Sequence, residues 1–351
     1  LLACTLMRKT PVIVLTTTLV LASAAFYFSD LLSYATAQGI GQLRIVWNAR
    51  PISEVLTDPS TPDSISERLK FVGQVRKYAI DSLGLNDTKN YTTYYDQHGQ
   101  EILWVVTACD PFQLKEKVWE FPIVGKVPYK GFFSPEKAKE EALIWKQNGL
   151  DVSVRNPGGW STLGWFTDPV LSSMLTRSKG DLASLIIHEM AHATIYVKDS
   201  STFNENLASF IGDEGARKFL IDTYGKDSPE WKEYDQEEKD YRKWTSHMLR
   251  GADVLDSLYK SSVFTSFPDS IKTKLKADLI RVIVIQADTL KTTGLQKSSR
   301  YFRKHLPNNA YFMSFIRYQA MQTDFTKTYR DQFSEDILLM IRFYQKKFPF
   351  L

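Results

Sequence analysis

The sequence predicts a mainly helical α+β fold in which a small mixed β-sheet precedes a metal-binding helix. Three observations carry this expectation. Apolar residues recur with a period near 3.6 over several long segments, as in Ser64–Leu83 and Ser270–Thr292. Short β-branched and aromatic runs are confined to residues 91–155. After them comes His188-Glu-Met-Ala-His192, and residues four apart lie on one face of a helix.

Taken in order, the chain opens on a targeting pattern. Arg8 and Lys9 are followed by Pro11–Phe28, which carries no charge. Ala22-Ser-Ala24 is a small-x-small site at which a signal peptidase could cut. If uncut, the stretch is long enough to stay as one N-terminal membrane anchor. Both readings make residues 1–30 a leader and put the single domain 31–351 outside the cytoplasm, in a bacterial periplasm or cell envelope.

Ser33–Leu56 is expected to be helical, and Asp58-Pro-Ser-Thr-Pro62 breaks it. In Ser64–Leu83, Ile65, Leu69, Val72, Val75 and Ile80 form one face, and Gly84 caps the end. These segments make residues 31–90 a helical N-terminal part. Tyr91–Tyr95 and Ile102–Ala108 flank a turn at Asp96–Gly99 and read as a hairpin. Trp119–Gly125, Val127–Phe133 and Val152–Arg155 are further short strands. A helix from Ser134-Pro135 to about Asn148 interrupts them, with Pro at its first position.

Pro157–Phe166 is rich in Gly and aromatics. One reading makes Ser161, Thr162, Leu163 and Gly164 a substrate-binding edge, because peptides often add as a strand beside a metal helix. The other is a tight turn carrying two core tryptophans. The metal helix follows, with Asp181 as its expected N-cap. Lys198–Ser201 is a turn, and a second helix runs from Thr202 to about Ile221, closing the part spanning 91–225. Residues 226–351 read as helices over Pro229–Ser261, Ser270–Thr292, Tyr311–Ala320 and Ser334–Lys347.

Composition excludes some functions. The net charge of +4 is small for 351 residues, and basic residues are interleaved with acidic ones, so nothing resembles a nucleic-acid groove. The two cysteines, Cys4 and Cys109, cannot supply a disulfide framework or a Cys-ligated zinc site.

The chemistry centres on residues 188–205. The chain holds only 5 His, so two of them flanking a Glu at this spacing is a strong signal. His188 and His192 can grip one Zn²⁺, and Glu189 can act as general base toward water. Zinc would lower the pKa of that water to about 7, and the substrate would be a peptide. A third ligand is needed. Ile195 and Lys198 stand where a metzincin needs Gly and His, so that pattern fails. Glu205 is the expected ligand, brought back by the 196–201 turn. Thr202-x-x-Glu205 also matches a capping box, which would use Glu205 differently. Asp213 and Glu214 are further candidates. The oxyanion donor is expected among Tyr301, His305 and Tyr311, around the Asn308-Asn309 break, with Asn308 and Asn309 as substrate contacts.

Ser161-Thr-Leu-Gly-Trp-Phe-Thr-Asp-Pro169, His188-Glu-Met-Ala-His192, Tyr196-Val-Lys-Asp199, Phe203-Asn-Glu205 and Glu214-Gly215 together resemble the bacterial predicted aminopeptidase family. So do Gly41-Gln42, Arg50-Pro-Ile52 and Asn308-Asn-Ala310. The resemblance covers nearly all of the chain after the leader. Asn204-Glu205 with Ala208 is also similar to the Asn-Glu-x-x-Ala element of gluzincins, where that Glu is the third zinc ligand. The resemblance implies a zincin-like catalytic domain. It also implies aminopeptidase activity, for which Asp199, Asp213 or Glu214 would hold the substrate's free amine. Many members resemble lipoproteins, and the Cys that follows their leader is missing here. The alternative function is an inactive, membrane-associated scaffold that keeps the fold; a closed four-ligand zinc module ranks behind it.

Overall fold

The computed structural model describes residues 29–121, 125–157, 167–290, 292, 301–302 and 304–348. The leader before Ser29 and the expected substrate edge, with Ser161, Thr162, Leu163 and Gly164, lie outside the described residues. The chain divides into two units, residues 1–47 and 48–351. In the first, the described residues form helix α1 (Ser29–Asn48), whose last residue falls in the second. No described helix is long and apolar enough to cross a membrane.

The second unit is mainly helical with small sheets, as the sequence predicts. Its start differs from expectation. The helix does not run to Leu56: Arg50–Pro51 form strand β1, and α2 (Ile52–Thr57) begins anew. Pro51 explains the break, since it forces extended backbone on Arg50 and has no N–H to continue a helix. Helix α3 (Asp63–Asp81) buries Leu69, Phe71, Val72, Val75 and Ala79. Its C-terminus is closed by Gly84 at φ +71°, where the Gly84 N–H bonds Ile80 and the Leu85 N–H bonds Ala79. The Gly84–Ile80 bond is that of an αL cap, which needs a left-handed residue at Gly84.

The expected 91–108 hairpin does not form. Strand β2 (Thr93–Tyr95) pairs with β1 and, in parallel, with β8 (Val170–Leu171). Strand β3 (Trp104–Cys109) lies instead between β6 (Lys130–Phe132) and β7 (Asp151–Arg155), antiparallel to both. Gln97 accounts for the separation. Its N–H donates to Ser172 Oγ at 2.9 Å and its Oε1 accepts from the Ser173 N–H at 2.9 Å. These bonds tie the turn to the segment after β8 rather than folding it back on β3. Strands β4 (Trp119–Phe121) and β5 (Gly125–Val127) form a separate ribbon. Helix α4 (Pro135–Gln147), capped by Ser134, packs on β3 and β7.

Helix α5 (Lys179–His192) carries the His-Glu-x-x-His motif. Its N-cap is Ser178, which accepts from the Asp181 N–H; Asp181 sits in the first turn rather than at the cap. Helix α6 (Ser201–Tyr224) is the main partner of α5. Glycines make the approach possible. A Cβ on Gly212 would lie 2.8 Å from the Ser184 carbonyl oxygen, and one on Gly215 would lie 2.9 Å from Ile187. Any side chain there would force the helices apart.

Helix α7 (Pro229–Lys260) crosses both. After the short α8 (Ser262–Ser266) come α9 (Asp269–Gln286) and α10 (Asn309–Gln319). Trp244, Met248, Leu255, Ile280, Ile283 and Phe312 bind α7, α9 and α10 into one core. The chain ends in α11 (Gln322–Phe333) and α12 (Ile337–Lys347). Ser334 does not begin a helix: it and Glu335 are left-handed, and Asp336 caps α12.

Candidate metal centre

On α5, the side chains of Ile186, Ile187, Met190 and Ala191 are buried, which fixes the roll of the helix. His188 and His192 then project one turn apart toward α6. Bringing a third group to them is the task of the following turn. Asp199 adopts φ +57°, and Asn204 closes the loop by gripping both polar atoms of Val197. Its Oδ1 accepts from the Val197 N–H at 2.9 Å and its Nδ2 donates to the Val197 carbonyl at 2.8 Å. Helix α6 therefore starts at Ser201, with Thr202 already inside it, and the capping-box use of Glu205 is not what the structure adopts.

Three ligand atoms converge. His188 Nε2 and His192 Nε2 are 3.1 Å apart. Glu205 Oε2 lies 3.3 Å from His192 Nε2 and 3.5 Å from His188 Nε2. A tetrahedral zinc site with bonds of about 2.0–2.1 Å has edges of about 3.3–3.4 Å. The three separations match that face, and the donor set of two imidazoles and one carboxylate suits a borderline-soft cation. The three residues could hold a metal ion.

Electrostatics agree with the geometry. Burial opposes ionisation of Glu205, yet the imidazoles of His192 and His188 outweigh it and hold the carboxyl far below its usual range. Burial likewise opposes a charge on His192, and the fields of Glu205 and Glu189 overcome it, raising its pKa. The pocket thus favours positive charge between the ligands. Glu189, next to His188 on α5, is buried, and its field reaches Tyr91 and Tyr129 as well as His192.

Asp213 is not part of this triad. It lies behind it, accepting from Ser184 Oγ at 2.8 Å within the field of His188. Burial raises the pKa of Asp213 and of its neighbour Glu238. Glu214 is engaged with Arg217 and Arg242, at 3.5 Å and 3.9 Å.

The other expected catalytic groups have different places. Tyr301 and His305 are exposed and pack on each other with ring centroids 4.7 Å apart. Tyr311 is built into the α7–α10 core against Phe302 and Phe315, and its hydroxyl is bonded to Trp244. Asn308 and Asn309 are both held by hydrogen bonds within the fold. Asn308 Nδ2 donates to the Val152 carbonyl at 3.0 Å. Asn309 is fully buried; its N–H bonds Asp151, its Nδ2 bonds the Asp110 carbonyl and its Oδ1 accepts from Tyr259.

Among the described residues, Tyr129, between β5 and β6, and Tyr318, near the end of α10, lie within the field of the Glu205 carboxylate, as do Tyr196 and Arg317. For Tyr129 and Tyr318, burial is the first cause of a raised pKa and the Glu205 carboxylate is the second. Arg155, at the end of β7, is hydrogen-bonded to Tyr318 and eases its ionisation. Tyr318 follows Tyr311 by two helical turns and so shares its face, which is the signal by which the sequence could have suggested it. Tyr129 has no such signal.

A family model described as "Putative aminopeptidase" matches residues 33–346. The chain belongs to that family. The match spans α1 through most of α12 and so includes the triad, Glu189, Tyr129 and Tyr318. The family's description suggests a peptidase, with peptides as the substrate class. No curated protein and no solved structure matches the chain.

Proposed function

We propose that the chain is a zinc-dependent aminopeptidase of the gluzincin kind, with His188, His192 and Glu205 as zinc ligands. The observation that carries this reading is the convergence of three ligand atoms at 3.1–3.5 Å, from two helices joined by a turn that Asn204 locks. Bound there, zinc would supply Lewis acidity toward the scissile carbonyl and toward water.

The remaining work falls to the chain's own residues. Glu189 accepts the proton of the attacking water and hands it to the leaving amine. Tyr318, oriented by Arg155, donates a hydrogen bond to the oxygen on which negative charge develops, and Tyr129, within the field of Glu205 and Glu189, is the second donor. The uncharged stretch after Arg8-Lys9 supports the reading that this chemistry takes place outside the cytoplasm, in the bacterial envelope.

Metal analysis of the purified chain together with a peptide-library assay tests the reading. About one zinc per chain is expected. Glu189→Gln should keep the zinc and lose on the order of 10²–10⁴-fold in kcat. Purified chain that lacks zinc and gains no peptidase activity when zinc is added would overturn the proposal.

A further inference from the structure

Helix α1 carries an apolar stripe that nothing in the peptidase reading uses. Leu32, Ile40, Leu43 and Trp47 are exposed by 55, 63, 53 and 86%. At about 100° per residue, they fall with Thr36 within an arc of ~80°. Ser33, Ala37, Arg44 and Asn48 are also exposed and lie on the flank of that arc, so the stripe is bordered by small and polar residues. Only Asp30 and Arg44 are charged in the helix. Isolated exposed apolar side chains are ordinary, but four aligned on one helix form a surface that water alone does not favour.

The preceding sequence indicates what covers it. The uncharged stretch Pro11–Phe28 ends one residue before α1 begins at Ser29. A chain whose leader enters a bilayer would deliver α1 directly to the lipid boundary. An apolar stripe with a polar flank suits a helix lying in the plane of that boundary, and Trp is the side chain that settles at the headgroup level. We infer that the Leu32–Ile40–Leu43–Trp47 stripe of α1 docks on a lipid bilayer surface. This inference does not depend on the zinc reading.

The test uses the full chain in phosphatidylcholine vesicles. Cys4→Ser is the background, since Cys109 is buried. Single substitutions Ile40→Cys, Leu43→Cys and Trp47→Cys carry an environment-sensitive fluorophore, and Ala37→Cys, on the flank, is the reference. Emission from the three stripe positions should shift to shorter wavelength when vesicles are present and be quenched by brominated lipid, while position 37 keeps an aqueous spectrum. All four positions are exposed, so labelling does not disturb a core. Stripe labels that stay aqueous in vesicles would overturn the inference. A blue shift that rises with protein concentration and needs no lipid would also overturn it, assigning the stripe to a second copy of the chain.

Discussion

The two sides of the candidate metal centre are built by different means. The ligand side is a single helix–turn–helix: His188, Glu189 and His192 on α5, and Glu205 thirteen positions after His192 on α6. The facing side is assembled from distant segments: Tyr129 from the β5–β6 turn, Arg155 from the end of β7, Tyr318 from α10. One is fixed by local chain geometry and the other by tertiary contacts. The two asparagines that flank Glu205 divide the work. Asn204 closes the ligand turn on Val197. Asn206, fully buried, reaches across to α10, donating to the Arg317 carbonyl at 2.6 Å and accepting from the Met321 N–H at 2.9 Å.

The largest expected effect tests the ligand side. Glu205→Ala and His192→Ala should each leave the chain without bound zinc after dialysis and abolish measurable peptidase activity. Metal content and turnover on a peptide library check this. If Glu205→Ala kept its zinc, the third ligand would have to come from elsewhere, and Asp213 is a carboxylate already within the field of His188.

Next comes the facing side. Tyr318→Phe should keep zinc and reduce kcat by about 10²–10³-fold with little change in KM, as loss of one oxyanion donor does. Tyr301→Phe should change neither constant, because Tyr301 is exposed and packs on His305. Tyr311→Phe should act on stability instead, by about 1 kcal/mol, because it leaves the Trp244 indole N–H without its partner. Equal kinetic losses in Tyr311→Phe and Tyr318→Phe would break the assignment.

This contrast also separates what was legible in the sequence from what was not. His188, His192 and Glu205 could be read because helical periodicity and one short turn determine their meeting. The helix bearing Tyr318 could be read too, since Tyr311–Ala320 lies within one turn of the observed α10. Which of its turns faces the metal could not. That depends on Asn206, 111 positions before Arg317, and on a strand end that carries Arg155. The same limit undid the 91–108 hairpin. Its turn chemistry was right, but Gln97 binds Ser172 and Ser173 more than 70 positions away. Asn308 and Asn309 stood out as an unusual pair, and their hydrogen bonds join β7, α7 and α10.

A smaller pair of effects should dissociate the two sides. Asn204→Ala should weaken zinc affinity by about 10–100-fold, as loss of groups that orient metal ligands does. Asn206→Ala should leave zinc affinity nearly intact and lower kcat through displacement of Tyr318, and each should cost about 1–3 kcal/mol in stability for its lost buried hydrogen bonds. Competition with a chromophoric chelator, set beside kcat, reads both. If Asn206→Ala lost zinc as readily as Asn204→Ala, the two sides would be one cooperative unit.

The smallest effect concerns the acids behind the ligand helix. Burial raises the pKa of both Asp213 and Glu238, although Arg242 opposes the rise in each. A carboxyl whose folded pKa is raised stabilises the fold fully below its unfolded value of about 4, and that contribution is lost as pH rises through the folded value. Zinc-free chain should therefore lose thermal stability as pH rises from about 5 to 8, by a few degrees in Tm at most. Glu238→Gln removes one of the two titrations and keeps a side chain of the same size, so its Tm should fall less steeply over the same range. The mutant and the wild type share every other titrating group, His188 and His192 included, so the difference between their slopes isolates the acid pair. Parallel slopes would mean that Arg217 and Arg242 already neutralise Glu238 across the range, and that the positive field behind α5 is stronger than the buried geometry implies.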